Sequence, residues 1–136
     1  MRRHITVRKG DLQTKHELME ESSFVLLRAT FYRWMQVWRT RCEALVDAPK
    51  VLAVGDLHVE NFGTWRDAEG RLIWGVNDVD EAARLPYTQD LVRLATSAQL
   101  AVRHKHFALS GGQACTAILD GYRDALDRGG RPFVLE

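Results

Sequence analysis

Cysteine is scarce in this chain: only Cys42 and Cys115 occur, far apart and outside any C-x-x-C pair. That spacing excludes a zinc knuckle and a disulfide framework, and a reducing cytoplasmic setting is expected. Charge of one sign is also lacking. The 19 Lys and Arg against 18 Asp and Glu, net +1, leave no broad positive field for nucleic acid or an anionic membrane. Any phosphate chemistry must therefore come from a few locally placed groups. Long apolar runs are missing too. The longest, 24–27 and 51–54, fall far short of the roughly 20 residues of a membrane span. The opening MRRHITVRKG has no apolar stretch behind it, so no secretory signal is read. Internal repeats and low-complexity tracts are absent from the sequence.

What is present describes one ordinary globular domain. The 136 residues are 46% apolar and 27% charged, enough to offset chain entropy and to bury roughly two thirds of the unfolded surface. Residues 1–14 are basic and aperiodic and read as a flexible arm, with 15–136 forming a single domain. From Ser22, Phe24, Leu27, Phe31, Trp34, Trp38, Cys42 and Leu45 recur every three or four positions, which predicts one long amphipathic helix. After Pro49, Val51 to Val54 reads as a short buried strand. A hairpin follows over 62–65 and 71–76, with Leu72, Trp74 and Val76 on one face and Trp65 packed with Trp74. Pro86 and Thr88 open a helix whose inner face is Leu91, Leu94, Ala95, Ala98 and Val102. Ser110 and Gln113 form a capping box for a last helix, closed by Gly129 and Gly130. Cys42 and Cys115 fall on apolar helical faces as buried thiols, and His104 and His106 near a helix end are expected in solvent.

Polar chemistry concentrates in the middle of the chain. Gly55, Asp56, Leu57, His58, Val59, Glu60 and Asn61 precede the hairpin, and Asn77, Asp78, Val79, Asp80 and Glu81 follow it. Closing the hairpin brings the two acidic loops together, with Asp78 and Asp80 on one side of an extended segment. Oxygen donors of this kind suit magnesium, which takes one or two carboxylates plus substrate phosphates: Asn61 and Asp78 first, Asp80 in reserve. Asp56 to Asn61 has the D-x-x-x-x-N spacing that in kinase catalytic loops separates the carboxylate facing the substrate hydroxyl from a metal-binding amide. The bland readings are a loop carboxylate for Asp56 and turn or solvated groups for Asn61, Asp78 and Asp80. His58 reads as a histidine packed beside the loop rather than a metal ligand, and Asp90 as a carboxylate favoured by the first turn of its helix.

Five segments together are more specific: SSFVLLRAT at 22–30, GDLHVENFG at 55–63, GRLIWGVNDVDEA at 70–82, PYTQDLVRLATS at 86–97 and GYRDAL at 121–126. Their order resembles the N-terminal part of an uncharacterised bacterial family, domain of unknown function 2252, in the protein-kinase-like and aminoglycoside-phosphotransferase-like superfamily. The resemblance implies an α+β, partial protein-kinase-like fold, a catalytic-loop hairpin packed on helices. It implies ATP and Mg²⁺ as cofactors, Asp56 as the catalytic-loop aspartate, and Asn61 and Asp78 as metal ligands. Asp90 would brace the catalytic loop, with His58 also in a supporting role, and Arg28 would contact the nucleotide phosphates. Ser23, Ala29, Thr88 and Gln89 depart from the pattern, where proline, glycine, an acidic residue and tryptophan are expected.

No glycine-rich phosphate loop, no V-A-I-K-like lysine and no partner glutamate are evident, so the N-lobe elements of a kinase are not read here. The leading expectation is a phosphotransferase acting on a nucleotide and a small-molecule or protein hydroxyl acceptor, with no nucleic-acid or membrane partner. A non-catalytic kinase-like module, covered by a second copy or a partner chain, is the alternative. A two-metal phosphoesterase built on Asp56 and His58 is a third.

Overall fold

A computed structural model describes residues 8–105 and 108–136. Among the described residues, five α-helices and two small antiparallel sheets make a mixed α+β arrangement. Helix α1 (Lys9–Glu21) has no buried residue and packs on α2 (Ser23–Ala29). Thus Lys9–Thr14, read from sequence as part of an arm, are helical, while residues 1–7 lie outside the described part. Ser22 is extended and ends α1; its Oγ accepts from Val25 N at 3.5 Å to start α2.

The long helix expected over 22–45 is broken twice. Thr30 and Cys42 leave helical geometry, separating α2, α3 (Phe31–Arg41) and a 3-10 turn at Glu43–Leu45. The last carbonyls of a helix have no partner within it. The break at Thr30 exposes the Leu27 carbonyl, and Arg93 Nη2 donates to it at 2.8 Å. A tertiary bond therefore occupies the carbonyl where periodicity predicts continuous helix.

Strand β1 (Lys50–Ala53) pairs with β4 (Ala83–Pro86), Lys50 opposite Pro86 and Ala53 opposite Ala83. It is not the buried strand expected: Ala53 is buried but Leu52 is 79% exposed. A two-stranded ribbon covers a strand on one edge only. β2 (Phe62–Arg66) and β3 (Leu72–Val76) form the expected hairpin, with β5 (Phe133–Val134) added beside β3. Asp67 closes the turn by accepting from Glu69 N and Arg71 N at 3.1 and 2.9 Å. The facing, however, is reversed. Ile73 is the buried residue of β3, and Trp65 lies opposite it while Trp74 lies opposite Thr64. Alternation puts the two tryptophans on opposite faces. They form no pair: Trp74 stacks on Phe62 at 6.5 Å, and Trp65 runs across Gly75.

Helix α4 (Tyr87–Lys105) and helix α5 (Gly111–Asp127) pack side by side. The capping box of Ser110 and Gln113 forms, and Gly129 and Gly130 end α5 at φ +73° and +67°. Leu91, Leu94 and Val92 line clefts against α5 rather than the centre. The centre takes a polar row one turn apart, Gln89, Arg93 and Ser97, all 0% exposed. Cys42 and Cys115 are free and only half-buried, and His104 is exposed; His106 lies outside the described residues.

Candidate functional site

The loop after β1 is held from below by α4. Asp90, in the first turn of α4, accepts from Val54 N through Oδ2 at 2.7 Å and from Gly55 N through Oδ1 at 2.9 Å. Two turns on, Ser97 Oγ accepts from Val59 N at 3.1 Å and donates to Leu94 O at 2.7 Å. One helix therefore fixes both ends of the segment that carries Asp56. Gly55 has φ +86°, and a Cβ there would collide with the Glu81 carbonyl. Gly55→Ala is expected to destabilise the chain by about 2 kcal/mol or more, since positive φ and a backbone clash act together. Urea unfolding of that variant checks it.

Asp56 is engaged on one oxygen only. Arg93 donates to Oδ1 from Nε at 2.8 Å and from Nη2, while Oδ2 has no hydrogen-bond partner among the described residues. The Arg93 guanidinium lies between the rings of Phe31 and Trp34, 5.1 and 5.2 Å from their centroids. Burial pushes the Arg93 guanidinium below its ordinary value, and the bond to Asp56 opposes that shift. Asp56 itself is partly exposed and lines a cleft of about 470 Å³ together with Arg28, Phe31, Tyr32, Met35 and Glu81. Arg28 Nη1 is paired with Glu60 Oε2 at 2.6 Å at the cleft's edge.

Asn61 is buried at the base of the hairpin. Its Oδ1 accepts from His58 N at 2.6 Å, and its carbonyl accepts from Asn77 N at 2.9 Å. Those bonds bring the second acidic loop beside the first. Asp78 and Asp80 are exposed, linked by Asp80 N donating to Asp78 Oδ1 at 3.3 Å. Asp78 follows Asn77 directly, whereas Glu81, at the far end of the turn closed by Ala82 N and Val79 O, reaches the Asp56 cleft. Among the described residues no three of His, Cys, Asp and Glu come together as a metal cluster. Asp78, exposed, offers a carboxylate of the type magnesium takes, whereas Asn61 fits less well, because its oxygen already serves the His58 amide.

His58 is buried against Phe24, edge to face at 6.1 Å. Burial lowers its pKa from 6.5, and Arg28 and then Arg93 add to the shift while Asp56 and Glu60 oppose it. The unfolded chain then binds the proton more tightly than the folded one, so stability falls as pH drops below about 6.5. Urea midpoints at pH 7.5 and 5.5, compared between wild type and His58→Gln, should show a smaller loss in the variant.

The sequence reading missed Arg93 and Ser97. Both lie in the segment 86–97, where a polar residue recurs at every fourth position, Gln89, Arg93 and Ser97. That period marks a helix face meeting polar backbone, a signal masked by the apolar stripe beside it.

A family model described as "Uncharacterized protein conserved in bacteria" (DUF2252) matches residues 8–133. The chain belongs to this family. No curated protein and no solved structure matches it. In this DUF2252 chain the segments 22–30, 55–63, 70–82 and 86–97 converge on one place. The first supplies Arg28 and the Leu27 carbonyl, the second Asp56, the third Glu81, and the fourth Asp90 and Arg93.

Proposed function

We propose that this DUF2252 chain carries a kinase-like phosphotransferase site. The observation that supports it best is the braced, half-occupied carboxylate: Asp56 lines the cleft, is fixed through Oδ1 by Arg93 and has no hydrogen-bond partner on Oδ2 among the described residues. A carboxylate so placed can accept a hydrogen bond from an acceptor hydroxyl and orient it for in-line attack. Phosphoryl transfer asks little else of a protein than positioning and charge stabilisation. Asp78 would hold Mg²⁺ on the nucleotide, with Asn61 fixing the hairpin base that sets Asp78 in place. The metal, when bound, neutralises phosphate charge. Arg28, at the cleft's edge, would meet phosphate oxygens.

The test is calorimetric titration with ATP, with and without Mg²⁺. Metal-dependent binding that disappears in Asp78→Ala supports the reading, and binding unchanged in that variant rejects the metal assignment. Exposure favours a second reading, a kinase-like binding module that does not turn over. Leu52, Leu126 and Phe133 are each at least 60% exposed, and apolar surface of that kind favours association. A folded chain that self-associates and binds no ATP would support that reading.

A further inference from the structure

The two sheets end in four strand edges, β1 and β4 in one and β2 and β5 in the other. A strand edge carries backbone groups that can pair with a second chain. Along β1 the phase of the ladder is set by Tyr87 N, which donates to Pro49 O at 3.1 Å one step before the pair Lys50 and Pro86. Antiparallel alternation then turns the N–H and C=O of Val51 and Ala53 toward β4 and those of Lys50 and Leu52 away from it. The next outward amide, Val54 N, donates to Asp90 at 2.7 Å, whereas the outward groups of Lys50 and Leu52 have no partner among the described residues. Leu52 is 79% exposed and, with Val51 and Asp90, lines an apolar cleft of about 540 Å³ against Leu91, Leu94 and Ile118. The β4 edge is blunted, because Pro86 on its outward side has no N–H.

The β5 edge has the converse character. Leu135 N donates to Leu72 O at 2.8 Å, which turns Phe133 and Leu135 toward β3 and leaves the backbone of Val134 facing out. Glu136 follows, its amide 3.4 Å from the same carbonyl and its exposed carboxylate 3.7 Å from Arg66, a surface contact of little strength. Charge decides which edge fits β1. Lys50 and Arg84 share one face of the β1–β4 ribbon, neither in an ion pair among the described residues. β2 carries Arg66 and no carboxylate, while the β5 segment runs on to Glu136.

We propose that β5 of one copy of this chain adds antiparallel to β1 of another, with Val134 opposite Leu52 and Glu136 opposite Lys50. Leu52 and Val134 then exchange both backbone hydrogen bonds, the Glu136 carboxylate meets Lys50 Nζ, and Leu135 falls beside Val51 at the cleft. The contact joins two different edges, so it is head-to-tail and grows with concentration unless it closes into a ring. So short a pairing makes it weak and reversible. It stands whether or not Asp56 transfers phosphate.

The experiment is sedimentation velocity of the full chain from about 10 µM to about 1 mM. The weight-average mass should rise with concentration, and hydrogen exchange at the Leu52 amide, followed by ¹H–¹⁵N NMR, should slow over the same range. Lys50→Glu or Glu136→Lys, both at exposed positions, should each weaken association about fivefold, and the double reversal Lys50→Glu, Glu136→Lys should restore it. A chain that stays monomeric at about 1 mM would overturn the proposal. So would association that Glu136→Lys leaves unchanged, which would put another surface, such as β1 against β1 of the second copy, in the contact.

Discussion

Asp56→Ala is expected to destabilise the chain by about 3–5 kcal/mol, because it strands the charge of Arg93 in the interior. Arg93 is 0% exposed, and its Nε and Nη2 both turn to Asp56 Oδ1. Asp56→Asn should cost much less, since an amide oxygen can still accept from Arg93. Urea unfolding of the two variants separates the possibilities, and an alanine cost under about 1 kcal/mol would show that the ion pair contributes no more than a surface one. The ordering matters for function. Activity lost in Asp56→Ala would reflect unfolding, so Asp56→Asn is the variant that reports on chemistry. A folded Asp56→Asn chain that binds Mg·ATP and transfers nothing is the expected result.

The second large effect is at Asp90. Two backbone amides, Val54 N and Gly55 N, depend on its carboxylate at 2.7 and 2.9 Å. Hydrogen bonds to a charged group contribute about 1.5–3 kcal/mol each, so Asp90→Ala, which removes two, should cost about 3–6 kcal/mol. Asp90→Asn should cost nearly as much, because its NH₂ would face one of the amides and leave it unpaired. Interaction with the helix dipole alone would make the asparagine variant cost no more than about 1 kcal/mol. Denaturation curves of both variants distinguish the loop brace from the dipole. If the brace holds, ATP affinity should weaken in Asp90→Asn even where the chain remains folded.

Much of this arrangement is legible in residue order, and its limits have physical causes. Turn and cap chemistry is local, so the β2–β3 hairpin, the Ser110 cap and the Gly129–Gly130 stop follow from a few neighbouring residues. Facing is not local. Ile73 rather than Leu72, Trp74 and Val76 points inward because the hairpin packs on one side and accepts β5 at its edge. The helix expected over 22–45 breaks at Thr30 where Arg93, 66 residues from Leu27, takes a carbonyl. No period over one segment encodes that bond.

For the site, the two acidic loops meet as the hairpin argument requires, through Asn77 N and Asn61 O at 2.9 Å. Residue type, the spacing from Asp56 and the family resemblance all point to Asn61 as a metal ligand, but its oxygen is committed to the His58 amide at 2.6 Å. Arg28, expected at the phosphates, is paired with Glu60 beside the cleft. Arg93 escaped notice because a fully buried arginine on a helix reads as a surface charge until its partners, Asp56, Phe31 and Trp34, are placed around it.

Calorimetric titration of the intact chain with ATP in the presence and absence of Mg²⁺, repeated with Asp78→Ala and Asp56→Asn, tests the phosphotransferase reading most directly. Binding that requires Mg²⁺, is lost in Asp78→Ala and is kept in Asp56→Asn is the expected result. A folded wild-type chain that binds no ATP at millimolar concentration, or binds it equally well without Asp78, would contradict it.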